Sequence, residues 1–110
     1  MNDFGLEIKT LRKARRITQR DLAEKAGVYF TYISKMENGQ LKNFPSVDTI
    51  IKIADILNTD ADNLILLAKK VPETFRETIV DDELAVALLR KMPSMTPEKK
   101  EKLRDLISDD

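Results

Sequence analysis

The sequence predicts an all-α protein: a five-helix bundle over residues 1–70, followed by a C-terminal helical extension over 71–110. Three observations carry this reading. Gly and Pro number only 3 and 4 in 110 residues, while the helix formers Leu, Ala, Lys and Glu are abundant. Apolar residues recur three and four positions apart in short runs, the period of a helix with one buried face. Between those runs stand Gly, Asn-Gly and Ser, Thr or Asp, the residues that stop and start helices.

Asp3 can cap a first helix running to about Arg16, with Phe4, Ile8 and Leu11 on one face. Ile17 lies between helices, placed as a hydrophobic staple toward Leu22. Thr18 is the N-cap of a second helix, Gln19 to about Ala26, with Leu22, Ala23 and Ala26 inward. Gly27 sits where the chain leaves that helix and is expected to take a positive φ. Val28 plugs the turn. A third helix runs from about Phe30 to Glu37, with Ile33 and Met36 inward and Phe30, Thr31, Ser34 and Lys35 outward. Asn38-Gly39 stops it, and Gln40 to Pro45 is a loop. Ser46 caps a fourth helix with the stripe Val47, Ile50, Ile53, Ala54 and Leu57, ended by Asn58-Thr59. Asp60 caps a fifth, with Leu64, Leu67 and Ala68 inward.

Val71-Pro72 marks a boundary, because a proline disfavours helix at the residue before it. Pro72 can open a short helix to about Ile79 as its first residue. Asp81-Asp82-Glu83 suits the start of the next helix, whose Leu84, Leu88 and Leu89 precede a stop at Pro93. Thr96-Pro97 opens a last helix to about Ser108, with Leu103, Leu106 and Ile107 as its apolar stripe.

Composition narrows the function. The chain has no Cys and no His, which excludes a disulfide framework and a Ser-His or Cys-His catalytic pair and argues against zinc. No Gly-rich phosphate loop or metal-spaced carboxylate cluster is present, so an enzyme is the least expected class, and no cofactor or metal is expected. No apolar run approaches the ~20 residues that span a bilayer, and no signal peptide stands at Met1. A cytoplasmic location is the expectation. The formal net charge is zero, but its distribution is uneven. Residues 1–70 hold twelve Lys/Arg against nine Asp/Glu, a net +3, and residues 71–110 carry the compensating −3. Lys9, Arg12, Lys13, Arg15, Arg16 and Arg20 concentrate the positive charge beside the second helix. They form either a solvated face or a phosphate-facing edge.

Two short helices joined by a turn with Gly near its start, Thr18 to Glu37, read as a helix-turn-helix. From Phe4 to Leu67 the chain resembles the lambda-repressor/Cro-like, or XRE, family. The matching residues are Phe4-Gly5, Ile8, Leu11-Arg12, Ile17-Thr18-Gln19, Asp21-Leu22-Ala23, Ala26-Gly27-Val28, Tyr32 to Gly39, Pro45-Ser46 and Ile53-Ala54-Leu57. The resemblance implies a five-helix DNA-binding domain of bacterial or phage origin, acting as a dimer on a near-palindromic operator, as a rule as a repressor. It implies base contacts from Tyr29, Phe30, Thr31, Ser34 and Lys35, and phosphate contacts from Thr18, Gln19, Arg12, Asn38, Lys42 and Asn43. It also implies an ion pair between Arg12 and Glu37.

The chemistry of these residues suits those roles. Lysine donates to guanine O6/N7, Thr and Ser are permissive hydrogen-bonders, and Phe30 could pack on a thymine methyl. The chain departs from the family pattern at Tyr29, which has no short oxygen with which to cap the third helix. Tyr29 is expected to be exposed, while Tyr32 is as well suited to the core as to the surface.

For residues 71–110 the sequence leaves three readings: packing on the bundle, a dimerisation arm, or a surface for another protein such as an antirepressor, toxin or metallopeptidase. A different class of function also stays open, an antitoxin-like interaction module of the same fold with weak or no DNA binding.

Overall fold

The computed structural model describes residues 2–108, the side chain of Asn2 excepted. Its helices are α1 (Asn2–Ala14), α2 (Gln19–Ala26), α3 (Phe30–Glu37), α4 (Val47–Leu57), α5 (Ala61–Leu67), α6 (Glu73–Asp81), α7 (Glu83–Lys91) and α8 (Pro97–Ser108). They divide into two units, Met1–Pro72 and Glu73–Asp110.

Each boundary in the first unit has a local cause. α1 begins before Asp3, whose carboxylate therefore lies in the first turn at the positive end of the helix instead of capping it. α1 also stops at Ala14, short of the expected Arg16, because Arg16 turns into the left-handed region at φ 57°. The Arg12 guanidinium fixes that turn by donating from Nη1 to the Ile17 carbonyl at 2.8 Å. α2 opens with a reciprocal capping box: Thr18 Oγ1 accepts from the Asp21 N–H at 3.0 Å, and Asp21 Oδ2 accepts from the Thr18 N–H at 3.4 Å. Such a cap contributes about 1 kcal/mol. Gly27 ends α2 at φ 71°, and a Cβ there would meet nothing within 4 Å. It is the backbone conformation, not crowding, that favours Gly there. α3 starts at Tyr29 without a side-chain cap. Ser46 and Asp60 cap α4 and α5 through the N–H groups of Thr49 and Asp62.

These helices enclose one core. α1 packs on α3 and α5, α2 on α3 and α4, and α4 on α5. Phe4, Ile8, Leu22, Ile33, Met36, Ile50, Ile53, Leu57 and Leu64 are buried in it with small residues between them. Burial of each large side chain contributes about 1.5–3 kcal/mol. Much of that is offset by the conformational entropy lost on folding, about 1–2 kcal/mol per residue for the backbone. The periodicity missed several members. Ile65 is buried, and Phe44, in a loop, sets its ring edge-on to Phe4 with centroids 5.6 Å apart.

α1 and α3 approach closely at Gly5. A Cβ on Gly5 would stand 2.3 Å from the Met36 carbonyl oxygen and 2.9 Å from that of Glu37. Both are backbone atoms and cannot swing aside. Gly5→Ala must therefore push the two helices apart, although alanine is otherwise the better helix former. The expected result is a loss of about 1–3 kcal/mol, the usual range for overpacking, read as a lower urea midpoint at unchanged m value.

The second unit is built differently. Pro72 is buried and belongs to the first unit, so it precedes α6 and is not its first residue; α6 then runs on past Ile79 to Asp81. Asp82 caps α7, accepting from the Leu84 N–H at 2.9 Å. Where a plain stop was expected at Pro93, Met92–Ser94 forms a single 3₁₀ turn. Thr96 caps α8 through the Lys99 N–H at 3.2 Å. α6 packs on α7. Phe75, Ile79, Ala85, Leu88 and Leu89 line an apolar concavity there. No described residue of α6, α7 or α8 is buried.

Candidate nucleic-acid interface

One carboxylate ties three helices together. Glu37, the last residue of α3, has a side chain only 1% exposed. It accepts from Arg12 Nε at 2.7 Å and from Arg12 Nη2 at 3.0 Å. From α2, Gln19 Nε2 donates to the same group at 3.0 Å. The Arg12 guanidinium is held more basic than an ordinary arginine, chiefly by its hydrogen bond to Glu37, which outweighs the opposing effect of burial. No buried side-chain polar atom among the described residues is left without a partner. Two-point binding of a planar guanidinium fixes direction as well as distance. The brace therefore sets the start of α2 against the end of α3.

The residues expected at a DNA surface fall into three groups. Tyr29, Phe30, Thr31 and Lys35 are exposed, Tyr29 at 84%, and Ser34 is partly so. Thr31, Ser34 and Lys35 stand three and four positions apart and share one face of α3. Asn38, at the end of α3, and Lys42 and Asn43, in the loop beyond it, are also exposed. Tyr32 is different: it packs against the core, and burial pushes its phenol pKa up. The open choice for Tyr32 thus falls to the core.

Thr18 and Gln19 belong to a concave surface at the start of α2, with Arg12, Lys13, Arg16, Ile17, Arg20 and Phe30 around it. Gln19 spends one amide hydrogen on Glu37 and keeps a second for a phosphate oxygen. Thr18 Oγ1 accepts the cap bond and retains its own hydrogen. Arg12 fits a phosphate contact less well. Its side chain is 10% exposed and three of its five N–H groups are committed. The geometry makes it a brace.

Sequence reading missed Arg20 as a distinct member of this surface. Its guanidinium lies over the Phe30 ring, 4.5 Å from the centroid. The signal was a cation in the first turn of α2 and an aromatic in the first turn of α3, which only the docking of the two helices brings together. No group of three or more metal-ligating side chains occurs among the described residues. None of the described helices is long and apolar enough to cross a membrane.

Comparison with known proteins agrees with this geometry. The sequence profile of the helix-turn-helix family matches residues 8–64. An uncharacterised HTH-type transcriptional regulator of Bacillus subtilis, RghRB, is 38% identical over 80 residues, 70% of this chain and 57% of that protein. The HTH-type transcriptional repressor RghR of the same organism is 34% identical over 73 residues, 66% of this chain and 53% of that protein. The chain thus spans a little over half the length of these two relatives. Among solved structures, the biofilm regulator SinR in complex with DNA superposes with a TM-score of 0.52 at 34% identity, over 56% of this chain and 97% of that one. The chain belongs to the lambda-repressor/Cro-like helix-turn-helix family.

Proposed function

We propose that this chain regulates transcription as a sequence-specific repressor, binding duplex DNA with α3 in the major groove. The observation that carries this reading is the braced pair α2–α3. It presents Thr31, Ser34 and Lys35 on one face, beside a concavity lined by Thr18, Gln19 and several cations. Phosphate contacts from Thr18, Gln19, Asn38, Lys42 and Asn43 supply affinity and register, and α3 supplies base readout. The relatives named as regulators and the DNA-bound SinR structure support the same role.

One bundle of this size covers a short site. Dimerisation on a near-palindromic operator places two copies of α3 about 34 Å apart, one turn of DNA. The second unit is the proposed dimerisation arm, because its apolar residues lack burial of their own: Val80, Leu84, Leu106 and Ile107 are all largely exposed. Deleting residues 73–110 is expected to leave a folded monomer with weakened operator binding. Light scattering at low micromolar concentration checks this, and a truncated chain that still dimerises removes the arm role.

An antitoxin-like interaction module is the second reading. It is favoured by the zero net charge and by the exposed Tyr29 ring. Electrophoretic shift on duplex fragments at several salt concentrations separates the two. Binding that weakens steeply with salt supports the DNA reading, and absence of binding at 50 mM salt supports the module.

A further inference from the structure

We propose that Arg20 and Phe30 form one phosphate-clamping unit, in which the Phe30 ring is a platform that holds the Arg20 guanidinium toward the DNA backbone and does not read a base. The inference rests on the DNA-binding reading and assigns it two residues. Three observations carry it.

The first is the stacking itself, 4.5 Å from guanidinium carbon to ring centroid. It joins the first turn of α2 to the first turn of α3. The second is charge. Arg20 takes part in none of the ion pairs formed among the described residues, which join Arg12–Glu37, Arg76–Glu73 and Arg104–Glu101. An arginine held on a ring without a carboxylate keeps its N–H groups for another anion, and a guanidinium matches phosphate geometry. The third is location. Arg20 and Phe30 line the same concave surface as Thr18 and Gln19, whose remaining donors suit the same anion.

Stacking also has a cost for Phe30. The ring face under Arg20 is covered, and that face is not offered to a thymine methyl. On this proposal Phe30 positions Arg20 in place of reading a base. Immobilising a long side chain before binding lowers the entropy lost on contact.

The test uses the full chain and two fluorescent probes: a duplex recovered by binding-site selection and a 30-bp duplex of unrelated sequence. Anisotropy is titrated across a range of KCl for wild type, Arg20→Ala, Arg20→Lys, Phe30→Leu and the Arg20→Ala/Phe30→Leu double variant. Circular dichroism checks that each variant is folded. Arg20→Ala is expected to lower the salt slope on both probes by about one per protomer, about two for the proposed dimer, as loss of one phosphate contact in each copy does. Arg20→Lys should keep the slope. Phe30→Leu should weaken both probes by a similar factor and leave their ratio unchanged. The double variant should bind like Arg20→Ala, because the platform has no role without its cation.

An unchanged slope in Arg20→Ala overturns the clamp. A Phe30→Leu variant that loses discrimination between the probes while Arg20→Ala keeps it overturns the platform role and returns Phe30 to base readout. Either of these results leaves the DNA-binding reading standing. A wild-type chain that binds neither probe overturns both.

Discussion

Arg12→Ala is expected to destabilise the first unit by about 3–5 kcal/mol, the range found when one partner of a buried ion pair is removed. The Glu37 side chain is 1% exposed and would keep only the Gln19 amide as a hydrogen-bond partner. A carboxylate left this way in a low-dielectric site loses most of its stabilisation. The variant also loses the bond from Arg12 to the Ile17 carbonyl, so the turn from α1 to α2 loosens with it. Urea unfolding followed by circular dichroism measures the loss. The pair Arg12→Met with Glu37→Leu should recover much of the stability, because replacing both charges removes the uncompensated one. If Arg12→Ala costs less than about 1 kcal/mol, the value typical of an exposed pair, the brace is not what holds α1, α2 and α3 together.

The second large effect falls on binding. Replacing Thr31, Ser34 and Lys35 together by alanine is expected to lower affinity for a selected duplex by about 100-fold or more, since each of three good base contacts is worth about 1–3 kcal/mol. None of the three is buried, so the fold should survive, with an unfolding midpoint close to wild type. Affinity for an unrelated duplex should fall far less, because only Lys35 contributes a charge to it. The ratio between the two duplexes is the decisive quantity. A triple variant that keeps the wild-type ratio places base readout elsewhere on the surface.

Most of the first unit could be read from the sequence because its signals are local. Thr18, Ser46 and Asp60 announce helix starts by their own chemistry, and Gly27 and Asn58 take the left-handed conformations that end helices. Three- and four-residue spacing picks out Phe4, Ile8, Leu22, Ile33, Met36, Ile50 and Ile53, all of them buried. What escaped the sequence depends on non-local docking. Phe44 is a loop residue with no period to mark it, and it joins the core only because the loop folds over Phe4. Gly5 looks like a flaw in a helix until α3 lies across it. Arg16 ends α1 early through a backbone turn that no glycine or asparagine signals.

The candidate site shows the same division. The contact between Arg12 and Glu37, 25 positions apart, came from the family pattern and could not come from spacing. The stacking of Arg20 on Phe30 was hidden for the same reason, since neither residue carries a signature by itself. Tyr29 and Tyr32 could not be told apart by type. Tyr29, just before α3, is exposed, and Tyr32, within it, packs on the core. The apolar residues of α6, α7 and α8 were legible as stripes, but a stripe does not name the surface that covers it.

Base readout by α3 in the major groove is what binding-site selection tests. Wild type and Lys35→Ala are each used to enrich duplexes from a random pool. Wild type is expected to enrich a near-palindrome with half-sites about one DNA turn, ~34 Å, apart. Lys35→Ala should lose the preference at one base pair in each half-site and keep the rest. An identical consensus from both proteins, or no enrichment by the wild-type chain, would contradict base readout by α3.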